Sequence, residues 1–309
     1  MAARGVVVVL AVLVAACAHR RAPPENLDAH IPPFARIPWA PFSRSAAVAI
    51  AVREWRAFGQ PFETPGVPEA EDKEREQGLW QRVGEYWWLG LDRRWFEQRW
   101  TGIHDQYGHV FPASLNGYYA WSAAFIDYVM RMAGAADHFP YAPNHATYIN
   151  AARLHTMGAA PDVRLAAYPL QSYAPLPGDL ICAWRGHRPV SYAELPTPTP
   201  FPGHCDIVVG RQPGYLQVIG GNVQNAVTMK NVATTPEGTL AGLDGRSVDA
   251  QMHWFVVLAV QYQDNILPPP PGFSAPVASL GSPRDFQSRG GGLSSRPRPP
   301  AASAAARAG

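Results

Sequence analysis

The chain is predicted to fold as one α+β domain, with helices first and an antiparallel sheet second. Three observations carry that prediction. Between Ser45 and His155, apolar residues recur every three or four positions, the period of helices that bury one face. From Gly178 the period changes, and short apolar runs read as strands. Gly and Pro separate those runs, and helices gathered ahead of strands, instead of alternating with them, define the α+β class.

The first helix is expected from Ser45 to Phe58, ended by Gly59 and Pro61. After an acidic and basic stretch, Glu69 to Glu76, a second helix is marked by Trp80, Val83, Trp87, Leu91 and Trp95. A tryptophan stripe could stack sugars, but helical spacing is what burial produces, so these rings are assigned to the core. Trp121 to Met132 is the third helix, apolar along Ala124, Phe125, Tyr128, Val129 and Met132 and stopped by Gly134. A fourth runs from Asn144, a candidate cap after Pro143, to about His155. Strands are expected at Leu180 to Trp184, Asp206 to Val209, Tyr215 to Ile219, Ala226 to Met229 and Trp254 to Val260.

The 309 residues are 47% hydrophobic with ten tryptophans, enough for a sizeable core, and the 32 prolines and 27 glycines concentrate in tails and connections. The globular domain is placed at residues 43–265. A net charge of +2, with no face dense in Lys and Arg, gives no reason to expect a nucleic-acid partner. Arg4 followed by the apolar run Val6 to Ala16 has the make-up of a signal segment over residues 1–17 and is too short to span a bilayer. Residues 18–42, rich in Pro, Ala and Arg, read as a flexible tether, and residues 266–309 as a disordered Pro/Gly/Ala/Arg-rich tail.

Four stretches carry the chemistry: Trp121-Ser122-Ala123-Ala124-Phe125, Pro177-Gly178-Asp179-Leu180-Ile181, Gly203-His204-Cys205-Asp206-Ile207, and Ile219-Gly220-Gly221-Asn222. Ser122 opens a helix, where unpaired N–H groups and the positive dipole end stabilise an anion. A hydroxyl is not ionised at neutral pH, so it needs a general base, and His204 at the head of a strand is the candidate. Asn222 on the next strand could hold that imidazole in the useful tautomer. Trp121, His145 and Asp206 are candidate substrate-binding residues. Asp206 shares a strand face with His204 and could assist it or pair with an arginine instead, whereas Cys205 faces the other way and is a poor nucleophile. His104, Asp105 and His109 match no zinc-helix spacing, so neither metal nor cofactor is expected.

In order and spacing these stretches resemble the papain-like amidohydrolases of bacterial cell walls, the cysteine, histidine-dependent amidohydrolase/peptidase domains and their NlpC-type relatives. The same segment, with Asn144-His145-Ala146-Thr147-Tyr148, resembles an uncharacterised bacterial lipoprotein family, a domain of unknown function (2272). The resemblance implies a papain-like fold with Ser122 in the place of the nucleophilic cysteine, His204 as base and Asn222 as orienter. Its implied function is cleavage of amide bonds in peptidoglycan peptides. A catalytically inactive module that binds wall peptide or a protein partner is the alternative, and a serine esterase or acyltransferase the second. Val14-Ala15-Ala16-Cys17 resembles a bacterial lipoprotein signal, which implies acylation of Cys17 and a periplasm-facing membrane anchor; Ala18 favours the outer membrane. In such an oxidising compartment Cys182 and Cys205, on neighbouring strands, could form a disulfide or remain two buried thiols. No oligomeric state follows from the sequence.

Overall fold

A computed structural model describes residues 42–64 and 72–262 of the chain. The signal segment with Cys17, the tether up to residue 41 and the tail over 266–309 lie outside the described residues. Helix α1 (Arg44–Ala57) starts where the Ser43 hydroxyl accepts a hydrogen bond from the Ala46 N–H, satisfying one free donor of the first turn. Its buried Glu54 accepts hydrogen bonds from Arg82 Nη2 (2.7 Å) and from the Tyr86 hydroxyl (2.8 Å), both on α2 (Leu79–Gly90). Helix α2 is shorter than the tryptophan stripe suggested. It ends at Gly90, with Leu91 extended, and Gly90 lies so close to α3 (Ser122–Met132) that a Cβ would sit 2.8 Å from the Ala124 carbonyl oxygen and 2.9 Å from the Tyr128 nitrogen. Helix α4 (His145–Thr156) is capped by Asn144, whose Oδ1 accepts from the Thr147 N–H at 3.0 Å.

Six strands form one antiparallel sheet: β1 (Leu165–Tyr168), β2 (Leu180–Trp184), β3 (Gly203–Gln212), β4 (Tyr215–Val223), β5 (Ala226–Ala233) and β6 (Trp254–Val260). Their spatial order is β1-β6-β2-β3-β4-β5. The α+β class therefore holds for the described residues. Strand β1 escaped the sequence reading because Leu165, Ala166 and Ala167 are all buried, which erases the alternation that marks a half-buried strand. Helices pack on one face of the sheet, against Cys182, Cys205, Ile207 and Ile219. On the other face Ile181, Val208, Val218 and Val257 are covered by irregular segments carrying Leu170, Leu240 and Ala241.

Two sequence features acquire structural reasons. Asp179 of the Gly-Asp pair is fully buried and accepts hydrogen bonds from Arg44 Nη1 (2.7 Å), the Val260 N–H (2.9 Å), the Tyr173 hydroxyl (2.9 Å) and the Leu176 N–H (2.8 Å). It thus ties α1, β6 and the entry to β2 together. Cys182 and Cys205 stand opposite each other across β2 and β3 and are joined as a disulfide.

Candidate active site

Ser122 occupies the first turn of α3, where Trp121 provides no side-chain cap, so the N–H groups of that turn are left for another acceptor. Its hydroxyl is half-buried, and its Oγ lies 2.6 Å from Nε2 of His145. His145 is the first residue of α4 and faces Ser122 because the Asn144 cap fixes where that helix begins. The other ring nitrogen, Nδ1, is hydrogen-bonded to the Tyr148 hydroxyl one turn along the same helix. Burial pushes the His145 imidazole well below its ordinary pKa, helped by the positive fields of His204 and Arg185 and opposed by Asp206. The ring is therefore neutral at neutral pH.

His204 lies beside this pair, its ring centroid 5.4 Å from that of His145. Its Nε2 donates to Asp206 Oδ1 at 2.8 Å, the geometry expected when an ionised carboxylate fixes the tautomer and leaves Nδ1 as the acceptor. Asp206 is fully buried, and burial alone would raise its pKa. The Lys230 ammonium, 3.0 Å from Oδ2, and the His204 hydrogen bond outweigh burial and hold the carboxyl well below the usual range. Glu63 reaches Lys230 from the far side at 3.3 Å, brought there by a short pairing of Pro61 to Glu63 along β5. Gly220 on β4 is required beside this pair: a Cβ would land inside the Asp206 carboxylate and 3.0 Å from His204 Nε2.

The expected trio is thus brought together only in part. Ser122 contacts His145, a residue expected to bind substrate, and not His204; His204 is oriented by Asp206 and not by Asn222. Asn222 sits at φ 54° where the β4–β5 ladder slips between Gly220 and Val223, a left-handed position that asparagine tolerates better than most residues. Its identity is accounted for by the backbone. Trp121 does not line a cleft. It is buried, packs on Phe58 and Tyr86, and donates its indole N–H to Glu74, whose carboxyl burial pushes up to about 7 against that bond. Cys205 is in the disulfide. Asp105 accepts the backbone N–H groups of Tyr107 and His109, and His104 bonds Thr101, so these three serve a loop.

Tyr148, Lys230 and Glu63 were not anticipated. Tyr148 had a signal, since it lies three residues after His145 on one helix face. Lys230 interrupts an apolar strand, Ala226-Val227-Thr228-Met229-Lys230, and a cation there implies a buried anion. Chemically, the arrangement places a hydroxyl against a neutral imidazole at an uncapped helix start, with a carboxylate-bound imidazole alongside. A family model described as an uncharacterized protein conserved in bacteria (DUF2272) matches residues 74–260. No curated protein and no solved structure matches the chain.

Proposed function

We propose that this chain, which belongs to the family of uncharacterized bacterial proteins DUF2272, is a hydrolase that uses Ser122 as an acyl-accepting nucleophile and His145 as its general base. The observation that carries the reading is the 2.6 Å contact between Ser122 Oγ and His145 Nε2 at the uncapped start of α3. As Oγ bonds to a substrate carbonyl, its proton passes to Nε2, and the N–H groups of the first turn of α3 receive the oxyanion. The imidazolium then protonates the leaving nitrogen as the C–N bond breaks. Water, deprotonated by the same ring, releases the acyl group. The Tyr148 hydroxyl accepts a hydrogen bond from the Nδ1–H, and the negative charge of Asp206 stabilises the imidazolium.

A nucleophile on a helix packed against an antiparallel sheet, with a histidine at a strand start, supports the papain-like reading, with the base moved from β3 to α4. The proposed substrate is the amide bond of a peptidoglycan peptide. The proposed location is the cell envelope, with the chain held at the outer membrane through Cys17. Both rest on the sequence resemblance and on the N-terminal pattern.

The test is covalent labelling of the full chain by a fluorophosphonate. Wild type is expected to label, and Ser122→Ala and His145→Ala are not. Because His145 is held neutral, the labelling rate should stay flat from alkaline pH down to the ordinary histidine value and fall only below it. Labelling retained in His145→Ala but lost in His204→Ala would move the base to His204. An unlabelled wild type removes the hydrolase.

One observation favours the inactive wall-peptide module: the Tyr148 hydroxyl can also donate to Nδ1, which puts the proton on Nε2 and leaves Ser122 without a base. Tyr148→Phe separates the two. It slows labelling if the hydroxyl accepts from His145 and switches labelling on if it donates.

A further inference from the structure

The end of α2 and the segment after it leave large apolar side chains in solvent: Trp88 is 55% exposed, Leu89 41% and Phe96 57%. They form one face. Trp88 and Leu89 line a shallow groove with Arg99 and Trp100. The Phe96 ring stands 5.7 Å from that of Trp100. Gln98 stitches the segment to the helix by donating to the carbonyls of Trp88 (2.9 Å) and Leu91 (3.1 Å). Isolated exposed apolar residues are ordinary, whereas a contiguous set rimmed by charge marks a contact surface.

Around this face the arginines Arg82, Arg93, Arg94, Arg99 and Arg131 outnumber the acids, which are Glu85, Asp92 and the half-buried Glu97. Asp92 is held by Arg131 at 2.8 Å and by Arg94 at 3.6 Å, and Glu85 by Arg82 at 3.6 Å. Arg93 and Arg99 are exposed, and neither has an ion-pair partner among the described residues. Indole and phenyl rings flanked by unpaired guanidiniums fit the boundary of an anionic bilayer: the rings enter at the headgroup level, and the guanidiniums meet phosphate. The excess of positive charge favours lipid phosphates over an uncharged partner.

We infer that the face built by Trp88, Leu89, Phe96, Arg93 and Arg99 docks on an anionic phospholipid surface. It lays the folded domain against the bilayer, which is more than holding it there by its N-terminus. The inference is independent of whether Ser122 reacts.

The full chain is mixed with vesicles of phosphatidylglycerol and phosphatidylcholine that contain a trace of photoactivatable phosphatidylcholine, and lipid adducts are mapped by mass spectrometry. Adducts are expected on residues 88–99, with any N-terminal adducts serving as an internal standard. Trp88→Ser with Phe96→Ser should remove the former and spare the latter. Arg93→Glu with Arg99→Glu should reduce the 88–99 adducts on the order of tenfold, an effect absent on pure phosphatidylcholine. All four side chains are exposed, and an unchanged melting temperature shows that the fold persists. Adducts confined to the N-terminus, or no adducts at all, overturn the proposal. So does a yield on 88–99 that ignores the lipid's charge.

Discussion

A lysine that is only 2% exposed, in the middle of a strand, would ordinarily give up its proton, because leaving water penalises the charged form. Lys230 is held above its ordinary pKa because Asp206 and Glu63 flank it, and Asp206 in turn holds His204. Glu74 is the reverse case. Buried against Trp121 with no comparable cation, it is raised from 4.5 to about 7. The folded state therefore binds a proton that the unfolded chain has released between those two values, so Glu74 stabilises the fold relative to its ionised form at low pH and loses that contribution as pH rises through 7. Glu74→Gln keeps an acceptor for the indole and removes the titration. Urea unfolding should show the two proteins equal below about pH 4.5 and the variant ahead by on the order of 3 kcal/mol above pH 8. A gap that is the same at every pH would mean that burial is not the cause. At this scale the sequence singled out Ser122, His145, His204 and Asp206 as candidates and did not show which of them touch. Alternation along β3 put Asp206 beside His204, a relation internal to one element. The approach of His145 to Ser122 depends on how α4 meets α3, which no local spacing records.

At the scale of elements, the site exists because two helix starts converge, and each start has a local cause. Asn144→Ala removes the acceptor for the Thr147 N–H and should cost about 1 kcal/mol of stability. Because His145 is the first residue of that helix, the same change should slow fluorophosphonate labelling of Ser122. Asn144→Ser, which restores a capping oxygen, should recover both; recovery of stability without recovery of labelling would break the link between cap and base. Helices α1, α3 and α4 were legible nearly to their ends because cap residues and glycines mark them. The stripe that defined α2 ran on to Trp95 because that ring packs against the core from an irregular segment after the helix has ended. Strands β3, β4 and β5 extend past their apolar runs because ladders continue through polar residues such as Arg211, Gln212 and Asn231, where hydrogen bonding and not burial sets the length.

Across the whole molecule the two layers are held in register by features far apart in the chain, and Gly221 shows how little room there is. A Cβ there would collide with Cβ of Phe125, so α3 can reach the end of β4 only over glycine. The disulfide between Cys182 and Cys205 adds a covalent tie within the sheet. With Cys17 set aside for acylation, the two remaining cysteines left that bond as one of two options, and only the register of β2 against β3 decides it, because it puts the two residues directly opposite. Joining residues 23 apart restricts the unfolded chain and should contribute about 3 kcal/mol by the loop-entropy account. Reductant, or Cys182→Ala with Cys205→Ala, should therefore lower the urea midpoint and steepen the denaturant dependence slightly, since a freed unfolded chain exposes more surface. His204 is the neighbour of Cys205 and projects from the opposite face of β3, so loosening that strand end should also slow labelling of Ser122, provided that the His204–Asp206 pair supports His145. If reduction lowers the midpoint while labelling in native buffer is unchanged, the second imidazole has no part in the chemistry and the reacting unit shrinks to Ser122, His145 and Tyr148.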